Sequence, residues 1–196
     1  LHDAVTQTLF SASLIAEALP AIWASDQAEG QQLLQELRQL SRGALAEMRT
    51  LLLELRPAAL MEADLADLLG QLAEAITGRA GIEVIAQSSG KCKLPDDVHV
   101  SLYRIAQEAL NNVVKHAHAS RAQITLRRAP AHSPDDRRLR NGAEAELTIS
   151  DDGRGFDPDG IAPDRLGLGI IRERAGAIGA ALSIESRPGT GTRVKV

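Results

Sequence analysis

Two long apolar stripes with helical spacing occupy the first 55 residues, and no other feature constrains the fold of this chain as strongly. In the first stripe the apolar residues alternate in steps of four and three, as in a coiled coil. This stripe consists of Val5, Leu9, Ala12, Ala16, Leu19 and Trp23. The second stripe consists of Leu33, Leu37, Leu40, Ala44, Met48, Leu51 and Leu55. The pattern predicts two long helices, and the second ends before Pro57 because proline disrupts a helix interior.

The two predicted helices are joined by a polar stretch, residues 25–30, and therefore form a helical hairpin. A single hairpin cannot bury two stripes of this length by itself. Pairing with a second copy into a four-helix bundle would cover both stripes, so we expect a homodimer.

After Pro57 the pattern becomes that of an α+β domain, so we expect two domains, residues 1–58 and 59–196. Helices are predicted over residues 65–80, ended by Gly81, from Asp96 or Asp97 to about His118, and over 170–178. Strands are predicted over residues 82–86, 122–128, 145–150, 181–186 and 192–196, with residues 129–142 as an exposed hairpin loop. The helices are expected to cover one face of a mixed or antiparallel sheet.

Composition excludes several classes of protein. Aromatic residues make up 2% of the chain and its net charge is −4, so we expect no direct nucleic-acid partner. Cys92 is the only cysteine, which excludes an intrachain disulfide and a cysteine-rich zinc site. The chain begins inside a predicted helix without a methionine. We therefore expect a cytoplasmic fragment of a longer protein, with membrane attachment only through an upstream region.

One predicted helix carries a cluster of polar residues that suits a metal ion. Glu108, Asn112 and His116 are spaced four residues apart and share a face, with Asn111 and Lys115 beside them. Carboxylate and amide oxygens suit Mg²⁺, which is commonly bound by one or two protein ligands together with substrate phosphates. The alternative is an ordinary solvated helix face.

Two glycine-rich segments follow. The first, Asp151-Asp152-Gly153-Arg154-Gly155-Phe156, places a carboxylate at the end of a strand, where it can accept a hydrogen bond from the amine of adenine. The second, Gly167-Leu168-Gly169, precedes a predicted helix, whose positive end favours phosphate. Neither matches a P-loop or the GxGxxG pattern, and either alone is compatible with a simple turn.

The order of these segments raises their significance. YRIAQEALNNVVKHA, DDGRGF and GLGIIRERAGAIGAALSIESRPGTGTRVKV resemble the N box and the two glycine boxes of the GHKL, or Bergerat, ATPases. Histidine kinases, gyrase-type topoisomerases, heat-shock chaperones and mismatch-repair ATPases share that fold, an α/β sandwich that binds ATP. The resemblance covers about residues 65–196. HDAVTQTL, near the N-terminus, resembles the HDxxxQxL phosphoacceptor motif of sensor histidine kinases whose regulators are of the nitrate/nitrite-response type.

The resemblance gives each residue of the N-terminal motif a role. His2 is expected to be the nucleophile that attacks the γ-phosphoryl group of ATP. Asp3 is expected to orient its imidazole or to take its proton. Gln7 would position the water that hydrolyses an aspartyl phosphate on a partner.

The resemblance also assigns the nucleotide site. Asn112 is the expected Mg²⁺ ligand, with Glu108, Lys115 and His116 near the metal and phosphates. Asp151 would hold the adenine amine, and Thr192 would lie near the base. Gly153 and Gly155 would shape the pocket, and Gly167 and Gly169 its phosphate side. A short lid is expected between Phe156 and Leu166.

The predicted function is that of a sensor histidine kinase core that uses ATP and Mg²⁺. It would phosphorylate its own histidine, transfer the group to an aspartate on a response regulator, and dephosphorylate that regulator. The regulator would carry a receiver domain and a helix-turn-helix output domain. Two alternatives are a GHKL serine kinase of the anti-sigma type and a degenerate kinase that acts as a dimeric nucleotide-binding scaffold. The HDAVTQTL motif opposes the first, and the intact boxes oppose the second.

Overall fold

The computed structural model describes residues 2–55, 57–89, 94–129, 144–157 and 166–196. The helices are α1 (His2–Ser25), α2 (Gln27–Leu55), α3 (Pro57–Glu62), α4 (Leu65–Ala80), α5 (Asp96–Asn112) and α6 (Leu166–Ala177). A π-helical turn, Val113–Ala117, continues α5. The strands are β1 (Glu83–Ser89), β2 (Arg121–Ala129), β3 (Glu144–Asp151), β4 (Ser183–Ser186) and β5 (Thr192–Lys195).

Helices α1 and α2 form the predicted hairpin, but their connection is shorter than predicted. Only Asp26 separates them, and most of the stretch 25–30 is helical. The Asp26 carboxylate accepts hydrogen bonds from the backbone N–H groups of Ala28 (2.8 Å) and Glu29 (3.1 Å). Because these N–H groups have no partner inside α2, the capping carboxylate allows that helix to begin at once.

The hairpin exposes much of its apolar surface in a single copy of the chain. Among its described side chains, the large apolar ones that are exposed are Leu9, Phe10, Leu14, Trp23, Leu34, Leu45 and Met48. The segment Thr6–Ser25 is long and apolar enough to cross a membrane by length and composition alone, a test that core helices and signal sequences also pass. All residues of the first apolar stripe except Val5 lie in this segment.

Helix α4 confirms its predicted bounds at both ends. Asp64 caps its N-terminus by accepting a hydrogen bond from the N–H of Ala66 at 2.8 Å. Gly81 ends it in the left-handed region, at φ 68°, where glycine has no steric penalty. The short helix α3, which begins at Pro57, was not predicted. Its Leu60 is fully buried in the core of the second domain.

The five strands form one mixed sheet in the order β1-β2-β3-β5-β4. Strands β1 and β2 are parallel, and the other neighbours are antiparallel. This confirms the predicted mixed sheet, and each predicted strand is present with its ends within three residues of those predicted. The predicted loop over residues 129–142 lies almost entirely outside the described residues.

Helices α4, α5 and α6 bury their apolar side chains together with those of the sheet. The large and deeply buried side chains of this core include Leu68, Leu69, Tyr103, Ile105, Leu110, Ile124, Leu147 and Ile171. The N-terminal helices followed by this α/β domain agree with the predicted α+β class.

Helices α2 and α4 cross where two glycines meet, and we call this contact the glycine crossing. A Cβ atom built on Gly43 would lie only 2.6 Å from the Cα of Gly78. Beside the crossing lies a cleft of about 500 Å³. It is lined by Gln35, Arg38, Gln39 and Arg42 of α2 and by Glu74, Thr77, Gly78 and Val84. The hairpin therefore packs directly against the α/β domain.

Candidate active site

Helix α5 and the first turn of α6 meet at Gly167. A Cβ atom on Gly167 would lie 2.6 Å from Asn112 Oδ1, 2.7 Å from Glu108 Oε1 and 2.8 Å from Asn112 Nδ2. A side chain at this position would therefore displace both polar groups. We call Glu108, Asn112 and Gly167 the phosphate side of the site.

The predicted start of α6 was wrong, because the helix begins at Leu166 and not at residue 170. Gly167 and Gly169 consequently lie in its first turn and not in a preceding loop. The free backbone N–H groups of a first turn point toward any anion placed there. A Cβ on Gly169 would meet no atom of the described residues within 4 Å, unlike one on Gly167 in the same turn.

Asn112 is the clearest sign that the phosphate side is built for a ligand. Its Nδ2 atom is buried and has no hydrogen-bond partner among the described residues. Buried polar atoms are normally paired, and unpaired ones often mark the place of a missing ion or ligand. The neighbouring oxygens of Asn112 and Glu108 are of the type that Mg²⁺ prefers, so the donor set fits Mg²⁺ with phosphate.

The π-turn alters one predicted relationship. Regular α-helical spacing places His116 in line with Glu108 and Asn112, but α5 becomes a π-turn at Val113. The predicted alignment of His116 with this column rests on α-helical spacing, which does not continue past Asn112. His116 and Lys115 are both exposed, whereas Glu108 and Asn112 are partly buried.

The end of β3 forms the second half of the site. Asp151 Oδ1 accepts a hydrogen bond from the N–H of Gly153 at 2.8 Å, and the N–H of Thr192 also donates to this carboxylate. Burial raises the pKa of Asp151, and these two hydrogen bonds only partly oppose the effect. A cleft of about 430 Å³ is lined by both Asp151 and Thr192. We call these two residues the base side of the site.

Asp152 has a different role from its neighbour. Its carboxylate accepts hydrogen bonds from Ser120 N (2.9 Å), Ser120 Oγ (2.6 Å) and Arg121 N (2.9 Å). These bonds, led by the one from the Ser120 hydroxyl, lower the pKa of Asp152. Asp152 therefore fixes the turn before β2, a structural role that was not predicted from the sequence.

The glycines of the first box are needed for close backbone contacts. A Cβ on Gly153 would collide with the carbonyl oxygen of Ala117, and one on Gly155 with that of Arg187. Gly155 also has φ 57°, which disfavours any larger residue. The N–H of Arg154 donates to the Ala117 carbonyl at 2.8 Å. The π-turn that follows Asn112 is thus tied to the loop that follows Asp151.

Comparison with known proteins decides the family. A family model described as "Histidine kinase" matches residues 1–60. A second, described as "Histidine kinase-, DNA gyrase B-, and HSP90-like ATPase", matches residues 97–196. The chain belongs to the histidine kinase family. The resemblance seen in the motifs of this kinase is thereby confirmed.

Two relatives of the kinase are sensors by name. It is 36% identical over 200 residues to the sensor histidine kinase YhcY of Bacillus subtilis, with 100% of this chain and 47% of that protein covered. It is 32% identical over 196 residues to the sensor protein VraS of Staphylococcus aureus, with 100% and 52% covered. The chain spans about half the length of these relatives.

Solved structures support the fold. The histidine kinase domain of the Erythrobacter litoralis EL346 blue-light activated kinase has a TM-score of 0.52 at 22% identity, covering 98% of this chain and 92% of that one. The ATP-binding domain of PrrB from Mycobacterium tuberculosis has a TM-score of 0.51 at 23% identity, covering 68% and 91%.

The structure of the kinase gathers part of the predicted site. It brings Glu108 and Asn112 to Gly167, and Asp151 to Gly153 and Thr192. His2 and Asp3 lie at the start of α1, where their side chains are outside the described part of the chain, and Gln7 is exposed one turn later. The predicted lid lies mostly outside the described residues. Ser186, which contacts Thr192, was not predicted as a site residue because nothing in its local sequence marks it.

Proposed function

We propose that this chain is the kinase core of a two-component sensor, and that it phosphorylates itself on His2 with ATP. The observation that carries the proposal is the meeting of Glu108 and Asn112 at Gly167, where the buried Nδ2 atom of Asn112 has no hydrogen-bond partner among the described residues. Residues 1–58 would form the dimerisation and phosphoacceptor hairpin, and residues 59–196 the ATP-binding domain. The exposed apolar side chains of the hairpin support its pairing with a second copy.

Each residue has a chemical task in this proposal. The carboxylate of Asp151 accepts a hydrogen bond from the adenine amine, and Thr192 lies beside the same base. The side chain of Asn112 would hold Mg²⁺, with Glu108 near it, and the ion would neutralise the charge on the phosphates. The free N–H groups of the first turn of α6 bind phosphate oxygens. Phosphoryl transfer depends mainly on such positioning and charge neutralisation.

At the acceptor, a ring nitrogen of His2 forms a bond to the γ-phosphorus while the bond to the leaving ADP oxygen breaks. Asp3 orients the ring and removes its proton. The phosphohistidine then passes its group to an aspartate of a response regulator with a receiver domain and a helix-turn-helix output domain. Gln7 positions water when that aspartyl phosphate is hydrolysed. The core would lie in the cytoplasm, with any membrane anchor upstream.

Incubation with labelled ATP and Mg²⁺ tests the proposal. The parent chain should incorporate label that is lost in acid, because a phosphoramidate on histidine is acid-labile and phosphoserine is not. His2→Gln should bind ATP normally but take up no label, whereas Asn112→Asp should bind ATP more weakly. Acid-stable label, or undiminished label in His2→Gln, would reject His2 as the acceptor and favour a serine kinase.

A further inference from the structure

The hydroxyl of Ser186 connects three parts of the base side. Ser186 ends β4 and faces Thr192 across the antiparallel pair of β4 and β5. Its side chain is buried, with 9% of its surface exposed. Ser186 Oγ contacts the backbone nitrogen of Phe156 at 2.9 Å, the carbonyl oxygen of Gly191 at 3.0 Å and Thr192 Oγ1 at 3.0 Å.

Proton counting fixes the direction of these three bonds. The N–H of Phe156 donates to Ser186 Oγ, and the carbonyl of Gly191 can only accept. The single proton of Ser186 therefore goes to Gly191. For the contact between the two hydroxyls to be a hydrogen bond as well, Thr192 must donate its own proton to Ser186. The hydroxyl of Thr192 then has no proton left, and it can only accept a hydrogen bond from a ligand.

We propose that Ser186 is a positioning residue that makes Thr192 a hydrogen-bond acceptor and thereby selects adenine over a base with a carbonyl group at the same position. This inference rests on the proposed function, since it assumes that the cleft lined by Asp151 and Thr192 binds the base. An ionised Asp151 is also acceptor-only. Two acceptors together suit an exocyclic amine and repel a carbonyl oxygen.

Binding of ATP and of inosine triphosphate, which carries a carbonyl where adenine has its amine, tests this proposal. In Ser186→Ala the hydroxyl of Thr192 is free to turn and donate to that carbonyl. The preference for ATP, expressed as the ratio of the two dissociation constants, should narrow by roughly 3- to 10-fold, the scale of one hydrogen bond. Ser186→Thr keeps the hydroxyl and should restore the preference of the parent.

Thr192→Val removes the same bond from the other side and leaves the buried serine in place. It should also narrow the preference, and adding Ser186→Ala to it should narrow the preference no further, because Ser186 acts only through Thr192. A further narrowing in the double variant would overturn the inference. So would an equal loss of both affinities in Ser186→Ala, which would make Ser186 a purely structural residue.

The two proposals fail in different ways. If the parent chain binds ATP but the ratio of the two dissociation constants is unchanged by these substitutions, the role proposed for Ser186 is wrong and the kinase proposal stands. If the parent chain binds neither nucleotide, the nucleotide site itself is wrong and both proposals are rejected.

Discussion

Alanine at Gly78 should weaken the packing of the hairpin on the α/β domain. A Cβ on Gly78 would collide with the Cα of Gly43 and lie 3.0 Å from its nitrogen, whereas ordinary contacts are 3.4–4 Å. Both partners are helix backbone, which cannot move aside as a flexible side chain can. Overpacking of this kind costs about 1–3 kcal/mol. The helices must separate or the contact must open.

Gly70 provides a matched control on the same helix. A Cβ at Gly70 would meet no atom of the described residues within 4 Å, so Gly70→Ala only gains helix propensity, about 1 kcal/mol. The difference between the two variants should therefore be about the cost of the clash, 1–3 kcal/mol. For a chain of this size that corresponds to roughly 2–12 °C in melting temperature.

Thermal unfolding and small-angle X-ray scattering at one protein concentration measure both effects. Gly70→Ala should melt above the parent chain with unchanged scattering. Gly78→Ala should melt well below Gly70→Ala and show a larger radius of gyration, and Gly43→Ala should behave in the same way from the opposite helix. If Gly78→Ala stabilises the chain as much as Gly70→Ala does and its scattering is unchanged, the glycine crossing does not exist.

Three further predictions concern single polar residues. The pKa of Asp151 is raised by burial, so its protonated form stabilises the ligand-free fold at low pH, and this stabilisation is lost as pH rises through the raised pKa. Asp151→Asn should therefore have a higher melting temperature than the parent at pH 7 without nucleotide, while its affinity for ATP falls. A lower melting temperature would contradict the claim that burying the charged carboxylate costs stability. The pKa of Asp152 is lowered, so Asp152→Ala should lower the melting temperature at pH 7, and the difference from the parent should shrink below pH 3.8. An equal melting temperature at pH 7 would refute that role. Gln7→Ala should keep most autophosphorylation but slow dephosphorylation of a separately phosphorylated regulator by roughly 10- to 1000-fold. If the regulator loses phosphate as fast with this variant as with the parent, Gln7 does not act in dephosphorylation.

Local signals in the sequence located most elements, and tertiary contacts account for the errors. Gly81 predicted the end of α4 because C-terminal capping depends only on neighbouring residues. Gly167 was assigned to a loop because glycine is a poor helix former, yet it lies in α6, where any side chain would displace Asn112. The π-turn carries no sequence mark. Its last carbonyl, that of Ala117, is fixed by Arg154, which is distant in sequence.

The two halves of the site differ in how complete they are before nucleotide binds. On the base side, the carboxylate of Asp151 already accepts hydrogen bonds from the N–H groups of Gly153 and Thr192. The hydroxyl of Thr192 is in turn bonded to that of Ser186. On the phosphate side, the amide nitrogen of Asn112 is buried without a partner among the residues described. A buried polar group without a hydrogen-bond partner costs free energy. A ligand that bonds to such a group therefore gains more binding free energy than one that bonds to a group with partners already in place. Structural change on binding should therefore be concentrated around Asn112 and the first turn of α6, while the base side provides a preformed pocket.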